Sequence, residues 1–153
     1  MNTSLKNWHT FLETGNPKIL DELLANEVIF YSPIVWTPQE GKQITKLYLM
    51  AALEVFGGEN SNFRYVKQVV DNNQFILEFI TLIDGVTLNG VDMIELNDDG
   101  KIISFKVMVR PLKAINKVHE KMGEMLEKLK NQKGKPLFLH LFSAISASFA
   151  PRR

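Results

Sequence analysis

Hydrophobic and polar residues alternate with period two through the middle of the chain and recur at helical spacing toward both ends. From Val86 to Leu96 the alternation puts Leu88, Gly90, Ile94 and Leu96 on one strand face, and Asp92 falls among them. The next run repeats the pattern, with Ile103, Phe105, Val107 and Val109 on one face and Ser104, Lys106, Met108 and Arg110 on the other. Two further runs, Phe63 to Val70 and Gln74 to Ile83, complete four strands joined by Asp71-Asn72-Asn73, Asp84-Gly85 and Asp98-Asp99-Gly100. Those turn residues predict an antiparallel meander.

Helical spacing of Leu5, Trp8, Phe11 and Leu12 predicts a first amphipathic helix, capped by Thr3 or Ser4 and stopped at Gly15-Asn16-Pro17. Pro17 opens a second, short helix through Ala25, and Val28 to Tyr31 then reads as a strand halted by Ser32-Pro33. A third helix is expected from Thr37-Pro38-Gln39-Glu40, with Ile44, Leu47, Tyr48, Ala51, Ala52 and Val55 on its apolar face and Gly57-Gly58 as its end. A long last helix carries Leu112, Ile115, Val118, Met122, Met125, Leu126 and Leu129 as a stripe against a charged opposite face, suited to covering the sheet. Helices, a strand, a helix and then a meander indicate an α+β fold with helices on one face of a curved sheet.

Composition narrows the function classes. The 153 residues, 45% hydrophobic and 23% charged, suit one globular unit, and a net charge of +1 with no basic stripe argues against nucleic acid as a partner. The absence of cysteine removes disulfides, thiolate nucleophiles and cysteine metal sites. His9, His119 and His140 lack the paired spacing of a metal site, so no metal and no cofactor are expected. Met1 to Leu12 does not read as a signal peptide, which makes a cytoplasmic location the expectation.

Asp92 is the residue with chemistry in it. A carboxylate on an apolar wall raises its pKa or finds a donor, and such groups concentrate at functional sites. Two readings stay open: a satisfied structural acceptor, or a ligand-binding or catalytic acid. Trp8, Phe30-Tyr31-Ser32-Pro33, Gly41, Val91-Asp92 and the run Ile102 to Pro111 together resemble the nuclear transport factor 2-like superfamily, in its SnoaL-like and ketosteroid-isomerase-like branch. The resemblance spans roughly residues 3 to 112. It implies a cone-shaped curved antiparallel sheet with helices on its concave face, a cystatin-like α+β roll, whose hollow holds a small apolar ligand.

Carried over residue by residue, the resemblance puts Trp8 where the isomerases have an oxyanion-binding tyrosine and Ser32 where they have the general-base aspartate before a proline. A serine hydroxyl is far too weak to take a proton beside a ketone. Only the second acid is retained, at Asp92, which in that family stays protonated to donate a hydrogen bond and in polyketide cyclases has a general acid/base counterpart. The resemblance maps Tyr48, Leu77, Phe79 and Thr81 to cavity walls, with ordinary core as the alternative; Phe105, Val107 and Val109 form the apolar strand face beside Asp92, and Trp36, in a loop before Pro38, is a lid or an incidental contact. The expected function is small-molecule binding with Asp92 as the polar group. The alternatives are a cyclase-like or isomerase-like enzyme using Asp92 as acid/base, and a non-catalytic dimerisation module.

Ile76, Ile80 and Leu82 on the outward sheet face predict a homodimer, or coverage of that face by the chain's own C-terminal part. Residues 1–130 are expected to form the cone domain and 131–153 an apolar extension broken from it at Asn131 to Pro136. Leu137 to Ala150 reads as an additional helix too short for stable membrane insertion, suited to docking on the sheet or a partner, or to shallow membrane attachment.

Overall fold

The computed structural model describes residues 2–132; the proposed extension helix lies outside them. The chain runs α1 (Thr3–Thr14), α2 (Pro17–Leu23), β1 (Leu24–Tyr31), β2 (Gln39–Glu40), α3 (Lys42–Phe56), β3 (Arg64–Asp71), β4 (Gln74–Ile83), β5 (Val86–Leu96), β6 (Ile102–Arg110) and α4 (Leu112–Gln132). Six strands form one curved, unclosed sheet in the order β2-β1-β6-β5-β4-β3. The meander β3 to β6 is antiparallel throughout, and its β4 and β5 bounds coincide with the two runs delimited by their turn residues. One pair departs from antiparallel geometry: β1 lies parallel to β6, with Phe30 opposite Phe105.

Local chemistry explains where the ends fall. Asn2, not Thr3 or Ser4, caps α1, its side chain accepting from the Ser4 and Leu5 amides at 2.9 and 3.3 Å. Gly15 closes that helix in the left-handed conformation (φ 66°), donating to Phe11 O. Pro17 opens α2 as expected, but the helix stops at Leu23, because Leu24 and Ala25 are already buried in β1. Thr37 to Glu40 does not start a helix: Gln39 and Glu40 pair with Phe30 and Ile29, and α3 begins only at Lys42 after Gly41. The backbone pairing available beside β1 overrides the helix-start spacing of those four residues.

The inward face of β5 is Leu88, Gly90, Asp92, Ile94 and Leu96, all buried. On β6 the expected Ile103 gives way to Ile102, because an irregularity at Glu95–Leu96 shifts the pairing by one residue before Phe105 and Val107 resume the inward register. Ala114, Val118, Met122 and Leu126 bury the inner stripe of α4, whereas Leu112 is exposed. The same helix continues through Asn131 and Gln132, the last described residues. On the outer sheet face Ile76 and Ile80 are half-buried, and Leu82 and Met108 are exposed.

Candidate functional site

Helices and sheet enclose a cavity of about 530 Å³, within the usual size range of small-molecule sites. Its wall is mostly apolar, and eight Phe, Trp and Tyr side chains contribute to it. Phe30 stacks on Tyr48 with ring centroids 5.2 Å apart, and Trp8 meets Phe105 at 5.1 Å. The tip of the Phe79 ring lies so close to Gly90 that a Cβ on that glycine would sit 2.4 Å from Phe79 Cζ. Gly90 is therefore required by close approach and not by its backbone angles.

Asp92 is held from both neighbouring strands, opposite Leu77 and Val107. Tyr65 reaches it from β3, two strands away, its hydroxyl donating to Asp92 Oδ2 at 2.7 Å. Trp8 on α1 donates from Nε1 to the same Tyr65 oxygen at 2.9 Å. Three elements thus converge on one short chain of hydrogen bonds. His9 and Phe63 meet the Tyr65 ring in T-shaped contacts, with centroids 5.6 and 5.3 Å away.

Burial sets the electrostatics. Asp92 is 6% exposed, and desolvation of its charged form raises its pKa from 3.8 to about 7, against the opposing pull of the Tyr65 hydrogen bond. Burial also pushes the Tyr65 phenol well up, and the neighbouring Asp92 charge adds to that shift. Tyr48 moves in the same direction through burial alone. Near neutral pH the two phenols keep their protons, while Asp92 is poised between acid and carboxylate.

Of the residues singled out in the sequence, the structure brings Trp8, Ser32, Tyr48, Phe79, Asp92, Phe105 and Val107 to the cavity wall. Four lie elsewhere. Leu77 is fully buried beneath the wall, between Gln68 and Asp92 in the sheet register. Thr81 spends its hydroxyl on Phe56 O at 2.6 Å, tying β4 to the end of α3. Val109 is half-buried at the far end of β6 and borders a shallow outer depression. Trp36 is 97% exposed in the loop after β1 and covers nothing. Ser32 Oγ accepts from the Ile34 and Val35 amides at 3.0 and 3.5 Å, which makes it a turn residue that happens to face the cavity.

Sequence reasoning missed Tyr65, the direct partner of Asp92. The available signal was the Phe63-x-Tyr65 alternation on a strand expected to border β4. Val118 and Met122 of α4 also line the wall. Among the described residues no group of three or more His, Asp or Glu side chains is placed to hold a metal, and no helix is long and apolar enough to cross a membrane.

Comparison with known proteins gives this geometry a context. A steroid delta-isomerase from Pseudomonas aeruginosa shares 32% identity with the chain over 84% of its length and 92% of the isomerase's, with a TM-score of 0.78. This chain belongs to the nuclear transport factor 2-like superfamily, in its SnoaL-like and ketosteroid-isomerase-like branch. An uncharacterised bacterial protein with a cystatin-like fold from Silicibacter pomeroyi matches at 25% identity and a TM-score of 0.79, covering 94% of this chain and 95% of its own. An NTF2-like protein of unknown function from Mesorhizobium loti shares the fold at 17% identity and a TM-score of 0.61, over 71% of this chain and 88% of its own. No family model matches the chain, and no curated protein matches it.

Proposed function

We propose that the cavity binds a small, largely apolar molecule carrying one carbonyl or enol oxygen, seated with that oxygen against Asp92. The observation that carries this reading is a carboxyl buried in an aromatic wall and able to keep its proton near neutral pH. A neutral carboxylic acid donates a hydrogen bond that a carboxylate cannot, and apolar surroundings strengthen it. The ring surfaces supply apolar contact for the rest of the ligand.

A ketone that accepts hydrogen bonds but cannot donate one tests the proposal directly. For 2-acetylnaphthalene, followed by fluorescence, affinity should be highest near pH 5.5 and weaken about tenfold by pH 8.5, as Asp92 ionises and stops donating. Asp92→Asn should bind with no pH dependence in this range, because its amide accepts from Tyr65 and donates to the ketone at every pH. Asp92→Leu should bind weakly throughout. Affinity indifferent to both pH and residue 92 would overturn the reading.

A second reading has its own support: a carboxyl titrating near pH 7 can give or take a proton, and the chain is 32% identical to a protein named as a steroid delta-isomerase. Against it stands Ser32, whose oxygen is occupied by two backbone amides where the resemblance places the base. Incubation with a β,γ-unsaturated ketone separates the readings. Under the binding proposal no conjugated enone accumulates, whereas turnover abolished by Asp92→Asn would replace binding with catalysis.

Self-association through the outer sheet face belongs to the same proposal. There Asn89 donates to Glu78 at 3.1 Å and Arg110 to Asn89 at 3.2 Å, forming a polar row beside Ile76, Val91 and Met108. Such a mixture suits a partner surface better than open water. Light scattering should give twice the mass of the chain, and Met108→Glu should halve it. A single-chain mass for the unaltered protein would assign coverage of that face to the chain itself.

A further inference from the structure

An indole nitrogen donates hydrogen bonds and does not accept them, and that restriction propagates through the site. Trp8 Nε1 lies 2.9 Å from Tyr65 Oη, so the phenol oxygen is the acceptor in that contact. The hydroxyl's own hydrogen then goes to Asp92 Oδ2, 2.7 Å away. With Oδ2 engaged as an acceptor, a proton carried by Asp92 is left to Oδ1, which makes no hydrogen bond to any described residue. We infer that Trp8 is a positioning residue: it locks Tyr65 as a donor to Asp92 Oδ2, so that the acid presents its proton from Oδ1 and the site selects ligands through an acceptor oxygen, such as a ketone or ester carbonyl. The ligand-selecting half rests on the binding proposal above; the locking half stands on the three side chains alone.

The tyrosine that the isomerase resemblance places at this position would impose no such direction. A phenol both donates and accepts, so a Tyr–Tyr–Asp chain can run either way, with the Asp92 proton on either oxygen. Trp8 is also packed against Phe11 and Phe105, at 5.5 and 5.1 Å, so its ring has little freedom to release Tyr65. The other titratable groups bordering the cavity are His9 and Glu13 on α1, Tyr48 on α3 and Arg64 on β3. His9 meets the Tyr65 ring in a T-shaped contact and bonds Gln68 at 2.9 Å, so the test has to distinguish it from Asp92.

The chain has two tryptophans, and Trp36 is 97% exposed, which provides an internal reference for the test. In the ¹⁵N–¹H spectrum of the unaltered protein, the Trp8 indole signal should exchange slowly with solvent and shift with a midpoint near pH 7, while that of Trp36 exchanges fast and stays put. Asp92→Asn should abolish the shift, which a response to His9 would survive. Trp8→Phe keeps an aromatic ring but removes the donor, so 2-acetylnaphthalene affinity at pH 5.5 should fall about threefold to tenfold as Tyr65 becomes free to turn. In that variant the Asp92 midpoint should rise, because a less polarised phenol stabilises the carboxylate less.

A Trp8 signal that ignores both pH and Asp92→Asn overturns the inference, and this result needs no folded Trp8 variant. A Trp8 signal that titrates as described, in a protein that binds no ketone at any pH, leaves the lock in place and removes the binding proposal instead.

Discussion

Asp92→Asn is expected to leave stability at pH 4 almost unchanged and to raise it at pH 8 by several kcal/mol. The folded carboxyl titrates near pH 7, whereas the same group in an open chain has a pKa near 3.8. Between those values the folded state holds a proton that the unfolded chain has released, so rising pH favours unfolding across that window. The stability that Asp92 retains below its open-chain pKa is lost as pH climbs through its folded pKa, and the decline ends above it. At about 1.4 kcal/mol per pKa unit the full loss has a ceiling of about 4 kcal/mol. Asparagine keeps an oxygen to accept from Tyr65 and never ionises, so it escapes that loss. Denaturant unfolding of both proteins at pH 4, 6 and 8 measures the difference, with contributions from the other carboxyls cancelling. A variant destabilised at pH 8 by a similar margin would make Asp92 an acceptor that the fold needs in its ionised form, and the readings built on a buried acid would go with it.

Gly90→Ala should produce the second large effect. Its new Cβ would sit 2.4 Å from Phe79 Cζ and 2.9 Å from both Cε atoms, well inside contact distance. Phe79 is 1% exposed and stacked on Phe63 at 5.2 Å, so its ring has nowhere vacant to go except the cavity it lines. Overpacking of this kind costs about 1–3 kcal/mol. The displaced ring should also occupy ligand space, weakening 2-acetylnaphthalene binding together with stability. Adding Phe79→Leu should restore part of the stability, because the double variant removes the colliding atoms. An alanine variant with unaltered unfolding and unaltered affinity would show that Phe79 has another place to lie.

The order of elements apart from β2, the meander and the inward position of Asp92 were legible in the chain, because period-two alternation and tight-turn residues are strong local signals. What escaped was set by neighbours distant in sequence. Tyr65 sits on a largely exposed edge strand whose pairing shifts between Tyr65 and Lys67, so its inward direction is masked by polar residues and by an irregular register. The exchange of Ile102 for Ile103 has the same cause, one irregularity at Glu95–Leu96. Thr37 to Glu40 carries the spacing of a helix start, yet β1 offers Gln39 and Glu40 a backbone partner that no local pattern announces. Trp36 shows the reverse failure: a large apolar side chain in a loop invites a role as a lid, but its ring points to solvent.

The parallel pairing of β1 with β6 also bears on how the molecule is made. β1 leaves the ribosome early, but apart from the two-residue β2 its partner is β6, the last strand of the sheet, so it waits for Phe105 before it can join the meander. Closing so long a loop is slow compared with forming the local hairpins of the meander, which can pair as soon as they are synthesised. Phe105 touches both Phe30 and Trp8. Joining the N-terminal elements to the meander and creating the cavity are therefore one event, and a nascent chain that ends before β6 has hairpins but no cavity.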